Sequence, residues 1–167
     1  GPTGPNGYVT VSGLEPGGSY VVQEIKAPDG HVIDPTPQSF QVDATDSGKI
    51  YTLIFNNMPK ANLWVRKSDA NNGVGLQGAV FKIVKGNGEI VRENVATDEG
   101  GFLKVNGLEE GTYQIIETKA PTGYVLDSTP KIVTLKYGST EVVEIENQKP
   151  GSLSIRKVDA TTGNALT

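Results

Sequence analysis

Between residues 61 and 149, apolar and polar side chains alternate in short runs, and turn residues separate the runs at regular intervals. Residues 63–70, 78–84, 88–91, 102–105, 112–118, 131–136 and 141–147 form such runs, and a period of two marks a strand with one face toward a core. Gly86-Asn87-Gly88 sits between two of them and predicts a hairpin. The runs favour Val, Ile, Thr and Tyr, 21 glycines and 10 prolines punctuate the chain, and no long helical stripe is present, so the class is all-β. About seven short strands in roughly 90 residues predict a two-sheet sandwich.

The pattern recurs. Gly7-Tyr-Val-Thr-Val-Ser-Gly-Leu-Glu15 returns as Gly101-Phe-Leu-Lys-Val-Asn-Gly-Leu-Glu109, and Tyr20-Val-Val-Gln-Glu24-Ile-Lys-Ala-Pro-Asp-Gly-His31 returns as Tyr113-Gln-Ile-Ile-Glu117-Thr-Lys-Ala-Pro-Thr-Gly-Tyr124. Each copy leads to a run ending in asparagine, 50–57 and 141–147, and then past a proline to a run carrying lysine. Those lysine runs are Leu63-Trp-Val-Arg-Lys67-Ser-Asp-Ala70 and Leu153-Ser-Ile-Arg-Lys157-Val-Asp-Ala160; 90 residues separate Lys67 from Lys157, as they do Asn57 from Asn147. The expected organisation is a set of tandem sandwich repeats, one complete and two partial. Residues 61–149 are the complete repeat, 1–60 the later part of a repeat without its lysine strand, and 150–167 the lysine strand of a following one.

Strand parity makes three polar residues inconsistent with an ordinary core. Leu63, Val65 and Lys67 share a face, as do Tyr113, Ile115 and Glu117, and Val143, Ile145 and Asn147, so Lys67, Glu117 and Asn147 all point inward. An unpaired buried charge costs several kcal/mol, which requires the three to satisfy one another. One reading is a buried Lys67–Glu117 ion pair with Asn147 hydrogen-bonded beside it. The other is an amide bond between the Lys67 amine and the Asn147 carboxamide, with release of ammonia. Burial favours the neutral, nucleophilic amine and the neutral carboxylic acid, so Glu117 could donate to the Asn147 carbonyl and pass a proton to the leaving nitrogen. Holding amine against carbonyl can supply effective molarities of about 10⁵ M or more, enough for one slow turnover.

The first copy has Glu24 as the candidate acid, and Asn57 or Asn56 as acceptor; parity with Tyr51, Leu53 and Phe55 selects Asn57. No suitably placed lysine precedes Glu24, whereas the tail carries Lys157 with nothing to pair with. The tail is therefore expected to complete residues 1–60, in trans from a second copy or in cis, with Lys157 near Glu24 and Asn57.

Composition narrows the function. A net charge of −4 gives no electrostatic case for nucleic acid or an anionic membrane as partner. Cysteine is absent, and the chain shows no signal peptide, transmembrane run or sorting tail, so it reads as a piece of something longer. The opening Gly1-Pro-Thr-Gly-Pro-Asn-Gly7 is too short for a collagen triple helix and is expected to be a loop. His31 is the only histidine; its expected place is an exposed turn, with no Cys/His cluster for a metal and no Ser/His pair for hydrolysis. Asp69-Ala-Asn-Asn-Gly73 reads as a turn rather than a calcium loop, and no cofactor is expected. Trp64 faces away from Lys67, toward a domain junction or, less favourably, as a carbohydrate platform.

An early-strand lysine, Tyr-x-x-x-Glu-x-x-Ala-Pro-x-Gly-Tyr in mid-repeat and a final-strand asparagine resemble the CnaB-type (collagen-adhesin B-repeat) domains of Gram-positive surface adhesins and pilins. The resemblance covers nearly all of the chain. It implies a prealbumin-like sandwich, a spontaneous Lys67–Asn147 isopeptide bond with Glu117 as catalytic acid, and a cell-wall-anchored extracellular stalk. Neighbouring repeats would be its partners, and the reaction would be a single self-modification rather than enzymatic turnover. A module binding host matrix protein or glycan is the alternative function.

Overall fold

The computed structural model describes residues 2–45 and 48–167, so of the opening loop Gly1 lies outside the described residues. The chain divides into two compact units, Gly1–Lys60 and Ala61–Thr167. In the first, β1 (Ser19–Val22) and β2 (Gln38–Gln41) form an antiparallel pair. The second holds β3 (Ala61–Asp69), β4 (Val80–Lys85), β5 (Ile90–Ala96), β6 (Phe102–Leu108), β7 (Gly111–Lys119), β8 (Lys131–Leu135) and β9 (Thr140–Asn147). These make two sheets, ordered β6-β3-β9 and β5-β4-β7-β8.

The order follows from the sequence pattern. Leu63 and Val65 of β3, Leu103 and Val105 of β6, and Ile145 of β9 pack against Phe81 and Ile83 of β4, Tyr113 and Ile115 of β7, and Leu135 of β8. These are the alternate residues of each strand, so the two apolar faces close on each other as a sandwich. Gly88 adopts φ 90° in the β4–β5 turn, and Asn87 Oδ1 accepts from the Glu89 amide, which is the hairpin expected at Gly86-Asn87-Gly88. β3 is the middle of its sheet, antiparallel to β6 and parallel to β9. Both neighbours take their ladder bonds from it.

That dependence explains where the structure departs from the sequence expectation. Residues 50–57 and 153–157, expected as strands, pair with no ladder. Burial along 50–57 still alternates, with Tyr51, Leu53, Phe55 and Asn57 half-buried and Ile50, Thr52, Ile54 and Asn56 exposed. Its counterpart β9 is a strand because it lies on β3, and among the described residues of 2–60 no strand pairs with 50–57. In the tail Leu153 and Ile155 are 84% and 83% exposed, and Lys157 is exposed. His31 is half-buried rather than exposed, held in a bridge to Pro59.

Candidate functional site

Lys67 lies near the end of β3, and its backbone is fixed on both sides. The Lys67 amide donates to Gly101 O at 2.7 Å, and Lys67 O accepts from the Leu76 amide at 2.9 Å. A Cβ on Gly101 would run into that Lys67 carbonyl, and one on Gly75 into the backbone of Gly100, so both positions need glycine for the approach. In the parallel β3–β9 ladder Lys67 is level with Ile145 and Asp69 with Asn147, which puts Lys67 and Asn147 on one face two residues apart. Glu117 enters from β7 in the opposite sheet. All three side chains are buried.

The carboxyl group of Glu117 spans the other two. Its Oε1 stands 3.5 Å from Lys67 Nζ, and its Oε2 accepts from Asn147 Nδ2 at 3.0 Å and from the Asp127 amide at 3.2 Å. Asn147 Nδ2 also donates to Val125 O at 2.6 Å. This second bond fixes the amide orientation, since the flipped group would set two carbonyl oxygens against each other. Glu117 thus meets the nitrogen of the carboxamide, not the carbonyl oxygen to which the sequence reading had it donate. Lys67 Nζ, Glu117 Oε1 and Asn147 Oδ1 are buried with no hydrogen-bond partner. A buried polar group without a hydrogen bond costs about 1–3 kcal/mol, and the 3.5 Å ion pair between Lys67 Nζ and Glu117 Oε1 leaves Asn147 Oδ1 with neither kind of partner. Burial pushes the Lys67 amine below its ordinary value, and attraction to Glu117 only partly opposes this.

The first unit repeats half of this site atom for atom. Asn57 Nδ2 donates to Glu24 Oε2 at 2.6 Å and to Val32 O at 3.0 Å, and Glu24 Oε2 accepts from the Asp34 amide at 2.8 Å. Of the two candidate asparagines it is Asn57 that reaches the glutamate. Glu24 and Asn57 are half-buried.

Sequence reasoning passed over the carbonyl of Val125 and the amide of Asp127. The signal was available, since Val and Asp stand at the same spacing after Glu24 and Glu117. It also missed the closure beside the site. Tyr124 Oη donates to Asp69 Oδ2 at 2.7 Å, with Lys149 Nζ 3.7 Å from the same oxygen and 5.6 Å from the Tyr124 ring centroid. The Asn71 amide and the Tyr124 hydroxyl hold the Asp69 carboxyl below its usual range, and the bond to Asp69 raises the Tyr124 phenol. Asp69, read only as a turn residue, both caps its turn and anchors the last tyrosine of the repeated motif. Trp64 lies on the outer face, with Lys104 Nζ 4.6 Å from its ring centroid and its indole N–H on Asn106 Oδ1 at 3.3 Å.

The chain belongs to the family described as the SpaA prealbumin-like fold domain, which it matches over residues 2–57 and 61–149. The prealbumin-like fold implied by the resemblance therefore holds. Among solved structures, the chain is similar to the major pilin subunit BcpA of Bacillus cereus, at 33% identity and TM-score 0.50, over 52% of this chain and 28% of that one. It is also similar to the Bacillus anthracis TIE protein, at 31% identity and TM-score 0.53, over 79% and 25% respectively. A curated relative, the trypsin-resistant surface T6 protein of Streptococcus pyogenes serotype M6, is 28% identical over 96 residues, 58% of this chain and 18% of that protein. The chain thus spans less than a third of the length of each of these relatives.

Proposed function

We propose that the chain is a structural segment of a Gram-positive surface pilus or adhesin, outside the cell, whose complete repeat is locked by an isopeptide bond between Lys67 and Asn147. The observation that carries this reading is the cluster of three buried atoms without a hydrogen-bond partner, Lys67 Nζ, Glu117 Oε1 and Asn147 Oδ1, the first two of them 3.5 Å apart as an ion pair. They belong to the nucleophile, the proton carrier and the carbonyl that one condensation needs. Neutral Lys67 attacks Cγ of Asn147; Glu117 takes a proton from Nζ through Oε1 and delivers one to Nδ2 through Oε2; the Cγ–Nδ2 bond breaks and ammonia leaves. Val125 O holds the leaving nitrogen toward Glu117 before the reaction. The reaction occurs once per molecule and consumes its own groups, so it is not enzymatic turnover.

The bond joins the first and last strands of the repeat, which lie parallel and adjacent. Tension entering at Ala61 would pass from Lys67 to Asn147 and leave by the C-terminal side, so the sheets between them would carry none of it. That suits a load-bearing shaft, and the pilin and surface-protein relatives support the setting. A matrix- or glycan-binding role draws no support from Trp64, whose ring is spanned by Lys104.

Intact-mass measurement tests the bond. The expected result is a deficit of about 17 Da from the calculated mass, the ammonia lost in the condensation. Glu117→Ala should remove the deficit and leave a folded, unbonded repeat. A full calculated mass for the unsubstituted chain overturns the proposal; a deficit surviving Glu117→Ala overturns the role of Glu117.

A further inference from the structure

Asp127 is exposed and lies in the loop between β7 and β8, yet its main-chain N–H reaches the buried carboxyl group of Glu117. We propose that Asp127 is a positioning residue for the condensation: its side chain holds a turn that aims its own N–H at Glu117 Oε2, and this keeps the two oxygens of Glu117 divided between the two reacting nitrogens. The inference rests on the chemistry proposed for Lys67, Glu117 and Asn147.

The turn comes from the local sequence. Asp127 Oδ1 accepts from the Thr129 amide at 2.9 Å, the bond by which an aspartate side chain imitates a backbone turn. Pro130 follows and favours an extended Thr129, so the chain leaves the turn toward β8. Hydrogen bonds from the Thr129 hydroxyl and amide hold the Asp127 carboxyl below its ordinary value, so at neutral pH it holds the turn as a carboxylate. The main chain so fixed donates from the Asp127 amide to Glu117 Oε2 at 3.2 Å.

The Glu117 carboxyl needs such a tether. Its Oε1 stands 3.5 Å from Lys67 Nζ, and its Oε2 accepts from Asn147 Nδ2 at 3.0 Å. Attraction between unlike charges is stronger where water is excluded, so an untethered carboxyl would turn both oxygens toward the lysine and away from the leaving nitrogen. Of the two donors on Oε2, Asn147 Nδ2 is itself the leaving group. The Asp127 N–H is the one that holds that oxygen throughout.

The first unit contains the same device. The Asp34 amide donates to Glu24 Oε2 at 2.8 Å, and Asp34 Oδ1 accepts from the Thr36 amide at 3.0 Å. In both copies the aspartate stands 10 residues after the glutamate and the threonine 2 after the aspartate, while the residue between them changes from Pro35 to Ser128. What recurs is the pair of hydrogen bonds. A role through charge alone has the opposite sign: burial lowers the Lys67 amine, and Glu117 and then the Asp127 charge oppose that lowering, against the neutral form that attacks.

Three forms of the full chain test the role, each assembled by peptide ligation in denaturant, folded by dilution and followed by intact mass as the deficit of about 17 Da develops. Asp127→Asn keeps the side-chain oxygen and the N–H, and should condense at least as fast as the unsubstituted chain. Asp127→Ala loses the turn and should condense about tenfold more slowly or worse. The α-hydroxy analogue of aspartate at position 127 keeps the side chain but replaces the N–H by an ester oxygen, and should be slowed at least as much. Rescue by Asn is what a charge effect would not give, and slowing with the turn intact is what a structural turn would not give. The first and third forms keep the turn, so their comparison stands even if Asp127→Ala does not fold. A slow Asp127→Asn, or a full rate in the hydroxy analogue, overturns the proposal. A full calculated mass in the unsubstituted chain overturns the condensation and this role with it, whereas a complete deficit with the rates out of this order overturns the role of Asp127 alone.

Discussion

The two units carry the same motif and reach different ends. In residues 61–149 the motif lies inside a seven-stranded sandwich, and in residues 2–57 the matching residues yield one two-stranded pair beside segments whose burial alternates without a ladder. The polar half-site nevertheless assembles in both: Glu24 and Asn57 make the same three hydrogen bonds as Glu117 and Asn147. The loop after the glutamate and the asparagine segment are therefore sufficient to build the acceptor. The lysine strand supplies the nucleophile and the sheet. β3 is hydrogen-bonded on both edges, so it carries both ladders of the three-stranded sheet.

The largest effect that would break this contrast is loss of the covalent tie. By the chain-entropy account, a cross-link closing a loop of about 100 residues contributes about 4.7 kcal/mol. Lys67→Met keeps the apolar stem while removing the amine, so it should lower the melting temperature of the complete repeat strongly, abolish its mass deficit and speed cleavage by trypsin. Equal melting curves would show that the two units differ only in their number of strands.

Next in size is a pair of identical substitutions 90 residues apart. Leu63 is fully buried and Leu153 is 84% exposed. Leu63→Ala should cost about 2–5 kcal/mol, as deletions in a closed core do. Leu153→Ala in dilute, monomeric protein should change stability by no more than about 0.5 kcal/mol. A large loss from Leu153→Ala would mean that the tail is packed in solution.

Most of the complete repeat is legible in the sequence because every core strand there has one apolar face, and parity alone brings Lys67, Glu117 and Asn147 inward. Parity cannot say whether a partner strand exists. Residues 50–57 and 153–157 have the same alternation as β9 and β3 and still form no strand, because a ladder is a property of two segments. Nor does alternation identify backbone ligands: Val125 O and the Asp127 amide act through main-chain atoms that any residue carries. The position of Glu117 on the amide nitrogen, instead of the carbonyl oxygen, depends on Val125 O and was invisible for the same reason.

A third effect separates the buried lysine from the exposed one by pH. In Asn147→Ala, Lys67 remains buried but unbonded, and its amine lies below the ordinary 10.5 because burial opposes the charge. Between that lowered value and 10.5 the unfolded chain binds more protons than the folded one, so stability should rise with pH across this window. Below the window the penalty of burying the charge is complete. Thermal melts of Asn147→Ala and of Lys67→Met/Asn147→Ala, compared at increasing pH, should therefore diverge, the former gaining relative to the latter. Parallel curves would show that Lys67 keeps its proton on folding and is a paired cation instead of a nucleophile in waiting.

The smallest effect concerns the one fixed position of Tyr-x-x-x-Glu-x-x-Ala-Pro-x-Gly-Tyr at which the two copies differ, Tyr124 against His31. Tyr124 closes the end of the complete site by donating to Asp69 Oδ2 at 2.7 Å, while the His31 ring lies 3.1 Å from Asp29 O in its own turn. Asp69 is two residues beyond Lys67 and level with Asn147 in the ladder, so the tyrosine ties the loop after β7 to the strand pair that carries the reacting groups. The tie lies outside the Lys67–Glu117–Asn147 contacts, and Asp69 keeps its bond from the Asn71 amide when the phenol is removed. Tyr124→Phe should then cost about 1 kcal/mol, the usual net worth of one hydrogen bond, while the mass deficit remains complete. Tyr124→His makes the complete repeat resemble the first unit at this position and should behave similarly. If either substitution left the chain at its full calculated mass, the Asp69–Tyr124 pair would belong to the reaction rather than to its cover.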